Sequence, residues 1–119
     1  MNADYDLEQR LLNYAARIIR LVERLPRTRA GNHIASQLLR SGSSALPNHG
    51  EAQAAESVQD FVHKLKLCLK ELRESFRWLR LIQTVPLLAP KRGQPLVQET
   101  DEPIRIFVAS VKTARRRKD

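Results

Sequence analysis

The spacing of Leu7, Leu11, Tyr14, Ile18, Leu21 and Leu25 constrains this chain more than any other feature. Apolar residues four, three, four, three and four positions apart share one stripe of an α-helix and no face of a strand. Phe61, Leu65, Cys68, Leu72, Phe76 and Leu79 repeat the pattern as 4-3-4-4-3. Stripes of this kind are stable only when covered, so the chain must bury helix against helix. Leu12, Ala15, Ile19 and Val22 widen the first stripe, which predicts a helix covered on more than one side.

Four helices follow in order. The first starts near Asp4 or Asp6, either of which can cap it, and runs to Leu25 before Pro26. Thr28 can cap the second, where Ile34, Leu38, Ser41 or Gly42, Ala45, His49 and Ala52 keep helical spacing as far as Glu56. The stretch RSGSSALPNHGEAQAAES, Arg40 to Ser57, has the composition of a loop yet continues that spacing. Its small residues allow close helix contact, and Pro47 predicts a kink because it removes one backbone hydrogen bond. The third helix is capped by Ser57 and reaches about Val85, before Pro86. PLLAPKRGQP, from Pro86 to Pro95, reads as the clearest loop. The last helix spans Leu96 to about Arg116, with Val97, Thr100, Ile104, Phe107, Val111 and Ala114 inward. Pro103 either kinks it or marks its true start, with Thr100 or Asp101 as the cap. Four helices with short connections in 119 residues predict a single all-α domain over residues 1–119, an antiparallel up-down-up-down four-helix bundle.

The motifs of catalysis are missing. Ser43, His49 and Glu51 have the residue types of a hydrolytic triad, but six residues of helix put Ser43 and His49 roughly 120° apart. No GxSxG follows a strand. There is no Glu-x-x-His and no His-x-x-x-His, so His33, His49 and His63 read as packed or surface residues and not as metal ligands. Phosphate-cradling glycine loops are absent, and no cofactor is expected. Cys68, the single cysteine, lies on the apolar stripe and reads as a buried thiol. No apolar run approaches the roughly 20 residues that span a bilayer. MNADYDLEQR has acids where a signal peptide needs a basic start, so the expected location is cytoplasmic, with no membrane partner. The chain therefore reads as a non-enzyme.

Surface charge is the remaining signal. Twenty-one basic residues, fifteen of them arginine, against thirteen acidic ones give a net charge of +8. Lys66, Lys70, Arg73, Arg77 and Arg80 form a basic stripe on the third helix, away from its apolar stripe. Arg10, Arg17, Arg20 and Arg24 share a sector of roughly 80° on the first. Arg115, Arg116 and Arg117 open a basic tail that ends at Lys118. Such surfaces can track the phosphates of RNA or DNA through charge and shape. Aromatic residues are few and mostly assigned inward, so base stacking is not expected. Leu67, Trp78, Leu81 and Val85, with Glu71 and Glu74 beside them, form a second apolar surface on the third helix. It is either the edge of a broad core or a subunit interface. The competing reading is a protein–protein scaffold in which arginine pairs with glutamate across subunits and no nucleic acid is bound.

The segment QLLRSGSSALPNHGEAQAAESVQDFVHKLKLCLKELRESFRWLRLI resembles the signature region of the bacterial four-helix bundle proteins encoded within intervening sequences of 23S rRNA genes. The family's R-S/A…N-x-x-E pattern is matched by Arg40, Ser41, Asn48 and Glu51. Its pattern on the third helix is matched by Ser57, Asp60, Phe61, Lys64, Leu65, Leu69, Glu71, Leu72, Glu74, Trp78 and Leu79, and its closing stretch by Lys112, Thr113 and Ala114. The resemblance implies a ring-like homopentamer of antiparallel bundles with no enzyme activity. It also implies kinship with the accessory variability determinants of diversity-generating retroelements, which work with nucleic acid. Two positions depart from the pattern: Ala52 stands where glycine is usual after the glutamate, and Pro47 where a small residue is usual. Asn48 and Glu51, polar positions on a largely packed helix, are expected to find partners at the bend or at a subunit boundary.

Overall fold

The computed structural model describes residues 3–117, and four helices account for most of them: α1 (Ala3–Val22), α2 (Arg29–Gln53), α3 (Val58–Thr84) and α4 (Pro90–Arg116). Each packs on its sequence neighbours and α1 also packs on α4, while the diagonal pairs touch only through long side chains that cross the core, such as Tyr14 towards Ser75 and His49 towards Phe107. Ser41 of α2 lies against Ser75 of α3, and Ala45 against Cys68, so rising numbers in one helix meet falling numbers in the next. This is the antiparallel four-helix bundle that the periodicity predicts, drawn out to 51 × 26 × 19 Å.

The core follows the predicted stripes: Leu11, Tyr14, Ile18, Leu38, Leu72, Leu79 and Phe107 are all fully buried. The caps at Thr28 and Ser57 form as expected, each hydroxyl accepting from a backbone N–H three residues on, Gly31 and Asp60, at 3.0 Å. Asp4 and Asp6 both lie inside α1, so neither is its cap, and the helix ends at Val22, three residues early. The last helix begins at Pro90 and not at Leu96, absorbing KRGQP. Proline suits the first helical position because its missing N–H would have no partner there, and its φ is preset. Pro95 and Pro103 both lie within α4, so Pro103 is not the start of the helix. α2 continues through Pro47, whose ring is on the exposed side where water can serve the carbonyl it leaves unpaired.

Four buried hydroxyls, one from each helix, sit at mid-height. Tyr14 Oη and Thr100 Oγ1 are 2.6 Å apart, and Thr100 also donates to the Leu96 carbonyl. Ser75 donates to Ser41 at 2.8 Å and is also a hydrogen-bond partner of Tyr14. Close by, α1 and α2 approach so tightly that a Cβ on Gly42 would stand 2.7 Å from Ile18 Cγ2. Gly42→Ala is therefore expected to destabilise the bundle by about 1–3 kcal/mol, as overpacking of a filled core does. Urea unfolding read by far-UV circular dichroism measures it.

Burial also pushes two groups upward in pKa: the Tyr14 phenol to about 12, despite hydrogen bonds from Thr100 and Ser75 that pull it down, and the Cys68 thiol to about 12. The unfolded chain ionises these groups near 10.0 and 9.0. Between those values and 12 the folded state holds more protons than the unfolded one, so stability falls as pH rises. The slope is about 1.4 kcal/mol per pH unit for each group. Unfolding series from pH 8 to 11 are expected to show this loss, with a shallower slope in Tyr14→Phe and in Cys68→Ala.

Candidate nucleic-acid interface

Helical geometry sets Lys66, Lys70, Arg73, Arg77 and Arg80 on the outer side of α3, and all five are exposed. Among the described residues no acidic side chain lies within 4.0 Å of any of them, since the ion pairs lie elsewhere. Arg77 donates to the Arg73 carbonyl at 3.3 Å, and the Arg80 guanidinium is 5.9 Å from the centre of the Phe76 ring. Both contacts are made by the guanidinium groups themselves, and neither brings a carboxylate, so the remaining N–H donors stay open to solvent.

At the α3 start the row continues onto α4. Arg115 shares a cleft of about 310 Å³ with His63 and Lys66. Arg117 instead lines a separate cleft of about 890 Å³ beside the α2–α3 connection. Two residues of helix turn the side chain through about 200°, so the basic tail is split between two faces. Arg115, Arg116 and Arg117 are all exposed. Lys118 lies outside the described residues.

The second apolar surface is partly used inside the chain. Trp78 is half-buried against the core, meets the His33 ring edge-on at 6.0 Å and donates its indole N–H to Glu74 at 3.1 Å. Leu67 is half-buried, while Leu81 and Val85 remain 40% and 56% exposed. Arg40 of α2 forks onto both Glu71, at 3.0 Å, and Glu74. The two glutamates therefore pair with an arginine of their own chain. Asn48 is half-buried and Glu51 exposed, and neither side chain has a hydrogen-bond partner among the described residues.

One apolar surface was not foreseen. Leu12 and Ile19, expected inside a broad stripe, are nearly half exposed, as is Leu39. Ile18 lies against Gly42 and Glu8 against His49, a register that brings Ile19 level with Leu39 across the α1–α2 seam. Only the helix pairing, which is not local in sequence, reveals this patch.

Ser43, His49 and Glu51 do not converge. Ser43 donates to the Leu39 carbonyl at 2.6 Å, and buried His49 sits between Glu8 and Gln53, at 3.1 Å from each. Glu51 points to solvent. Cys68 is fully buried with Sγ 3.6 Å from the Ala45 carbonyl. Among the described residues no three His, Cys, Asp or Glu side chains group to hold a metal ion, and no helix is long and apolar enough to cross a membrane.

A family model described as 23S rRNA-intervening sequence protein matches residues 3–109. No curated protein matches the chain. A crystal structure of a protein with unknown function from the S23 ribosomal protein family of Bacteroides thetaiotaomicron superposes with a TM-score of 0.84. It is 28% identical, and the match covers 92% of this chain and 97% of that one. Arg40→Ala is expected to lower stability by about 1 kcal/mol or less, the range of a half-exposed ion-pair network. Trp78 fluorescence should shift in the same variant, because Glu74 would lose the group that orients it.

Proposed function

Since the chain belongs to the 23S rRNA-intervening sequence protein family, we propose that it is a non-enzymatic, cytoplasmic homo-oligomer that holds RNA or DNA by its phosphates. The observation that carries this reading is the exposed row Lys66, Lys70, Arg73, Arg77 and Arg80, joined by Arg115 and without a carboxylate in reach. A solvated helix face normally mixes charges of both signs. Five cations in line on one face match the repulsive, regularly charged backbone of a nucleic acid. The row lies beside a rigid core, so binding costs little ordering of the backbone. Recognition then depends on the spacing of phosphates and not on base identity.

Assembly multiplies the effect. The partner of each chain is another copy, in a ring of five, and Leu67, Trp78, Leu81 and Val85 form the surface between copies. The exposure of Leu81 and Val85 supports that face. Repetition of one modest row around a ring raises avidity while each row stays as it is. The protein–protein scaffold draws on the same apolar residues. It is less favoured because Glu71 and Glu74 are already held by Arg40, which leaves the α3 cations without those carboxylates.

Salt decides between the two. The logarithm of affinity for an RNA hairpin or duplex is expected to fall linearly with the logarithm of salt concentration. Arg77→Ala should weaken binding across all sequences and reduce the slope by about 0.7–0.9 for each phosphate the variant no longer neutralises. No binding to duplex, hairpin or single strand at low salt would overturn the nucleic-acid reading. Light scattering on the eluting peak should give about five times 13.7 kDa, and a monomer would overturn the ring.

A further inference from the structure

A second cationic surface lies on the other side of α4. The seam between α1 and α4 is closed at mid-height by Tyr14 with Thr100 and by Arg10 with Glu99 and Glu102. Towards the end of α1 it opens into a cleft of about 370 Å³, walled by Arg17 and Arg20 from α1, by Arg24 from the turn that follows it, and by Lys91 and Arg92 from α4. Leu21 and Leu96 lie in its floor. No acidic residue lines it, and none of the five cations has an ion-pair partner among the described residues. Glu99 and Glu102, further along the seam, are taken by Arg10.

We propose that this cleft is a binding site for an oligophosphate group. The charge count selects the ligand. Five formal positive charges face one small volume, so a single phosphate of about two negative charges would leave most of them unmatched. A triphosphate, with about four, nearly balances them. Four of the five cations are arginines, whose planar forks suit phosphate oxygens. The apolar floor excludes water from one side and so weakens screening there. The first turn of α4 adds to this: Ala89 gives it no side-chain cap and it holds no acidic residue, so its positive dipole end is left uncompensated at the cleft. The sequence concealed the site because Lys91 and Arg92 read as loop residues; only the early start of α4 sets them opposite the α1 arginines.

The site does not rest on the α3 row. Such a group occurs in a free nucleoside triphosphate and at the 5′ end of an unprocessed RNA, and both offer the same chemistry.

Calorimetric titration of the full chain with sodium triphosphate at low salt tests the proposal. One saturable site per chain is expected, at least roughly tenfold tighter than for inorganic phosphate. Arg20→Ala with Arg24→Ala, and separately Arg92→Ala, should each weaken triphosphate binding roughly tenfold or more, as removal of charge-assisted hydrogen bonds does. All three positions are exposed, so the variants should keep the wild-type melting profile. Arg73→Ala with Arg77→Ala should leave triphosphate affinity unchanged even where it weakens RNA binding, which keeps the two sites' failures apart. Absence of saturable binding, or equal weakening in the α3 variant and the cleft variants, would overturn the proposal. A nucleoside triphosphate and a short RNA with a 5′-triphosphate or a 5′-hydroxyl identify the source. Preference for the triphosphorylated RNA assigns the RNA end, and equal affinity for nucleotide and triphosphorylated RNA assigns the group itself.

Discussion

The layer of hydroxyls at mid-height, Tyr14, Ser41, Ser75 and Thr100, governs how the four helices can be arranged. A greasy stripe tolerates sliding and rotation, because one leucine replaces another at little cost. A buried hydroxyl does not, because leaving it without a partner costs about 1–3 kcal/mol. Each helix contributes one, and although Ser75 and Thr100 also reach a carbonyl of their own helix, the Tyr14 phenol finds partners only on α3 and α4 and so ties the level of α1 to theirs. The pairing is complete: no buried side-chain nitrogen or oxygen among the described residues lacks a partner.

That fixed arrangement decides where charge accumulates. Six of the thirteen acidic residues are drawn into pairs within the bundle: Glu99 and Glu102 with Arg10, Glu71 and Glu74 with Arg40, Asp101 with Arg105, and Glu8 with His49. The excess of +8 is therefore not spread evenly. It collects on the α3 row and in the α1–α4 cleft, on either side of the same helix. Net charge alone says little about partners; its partition between two faces without carboxylates says much more.

The helices and the core were legible because both depend on spacing along one helix. Leu7 to Leu25 and Phe61 to Leu79 declare their buried side without reference to any partner. Thr28 and Ser57 were legible for the same reason, since a cap acts three residues ahead. What escaped depends on which helix stands beside which. Leu12 and Ile19 looked like core because a stripe cannot show that its flank overhangs the seam. The stretch from Pro90 to Pro95 looked like a loop because local composition outweighed the fact that Pro90 is at home at the first helical position. Of the candidate site, the α3 row was read directly from its periodicity. The division of Arg115 from Arg117, and the intrachain partners of Trp78 and Glu74, needed the fold.

The fit of Ile18 against Gly42 has a consequence for sequence drift. A position that admits no carbon beyond the backbone can change only after the side chain opposite has become smaller. The two are thus coupled energetically although they stand in different helices. Among relatives, a larger residue at position 42 should come with a shorter one at position 18. Such paired exchange would mark the α1–α2 crossing in an alignment as clearly as coordinates do.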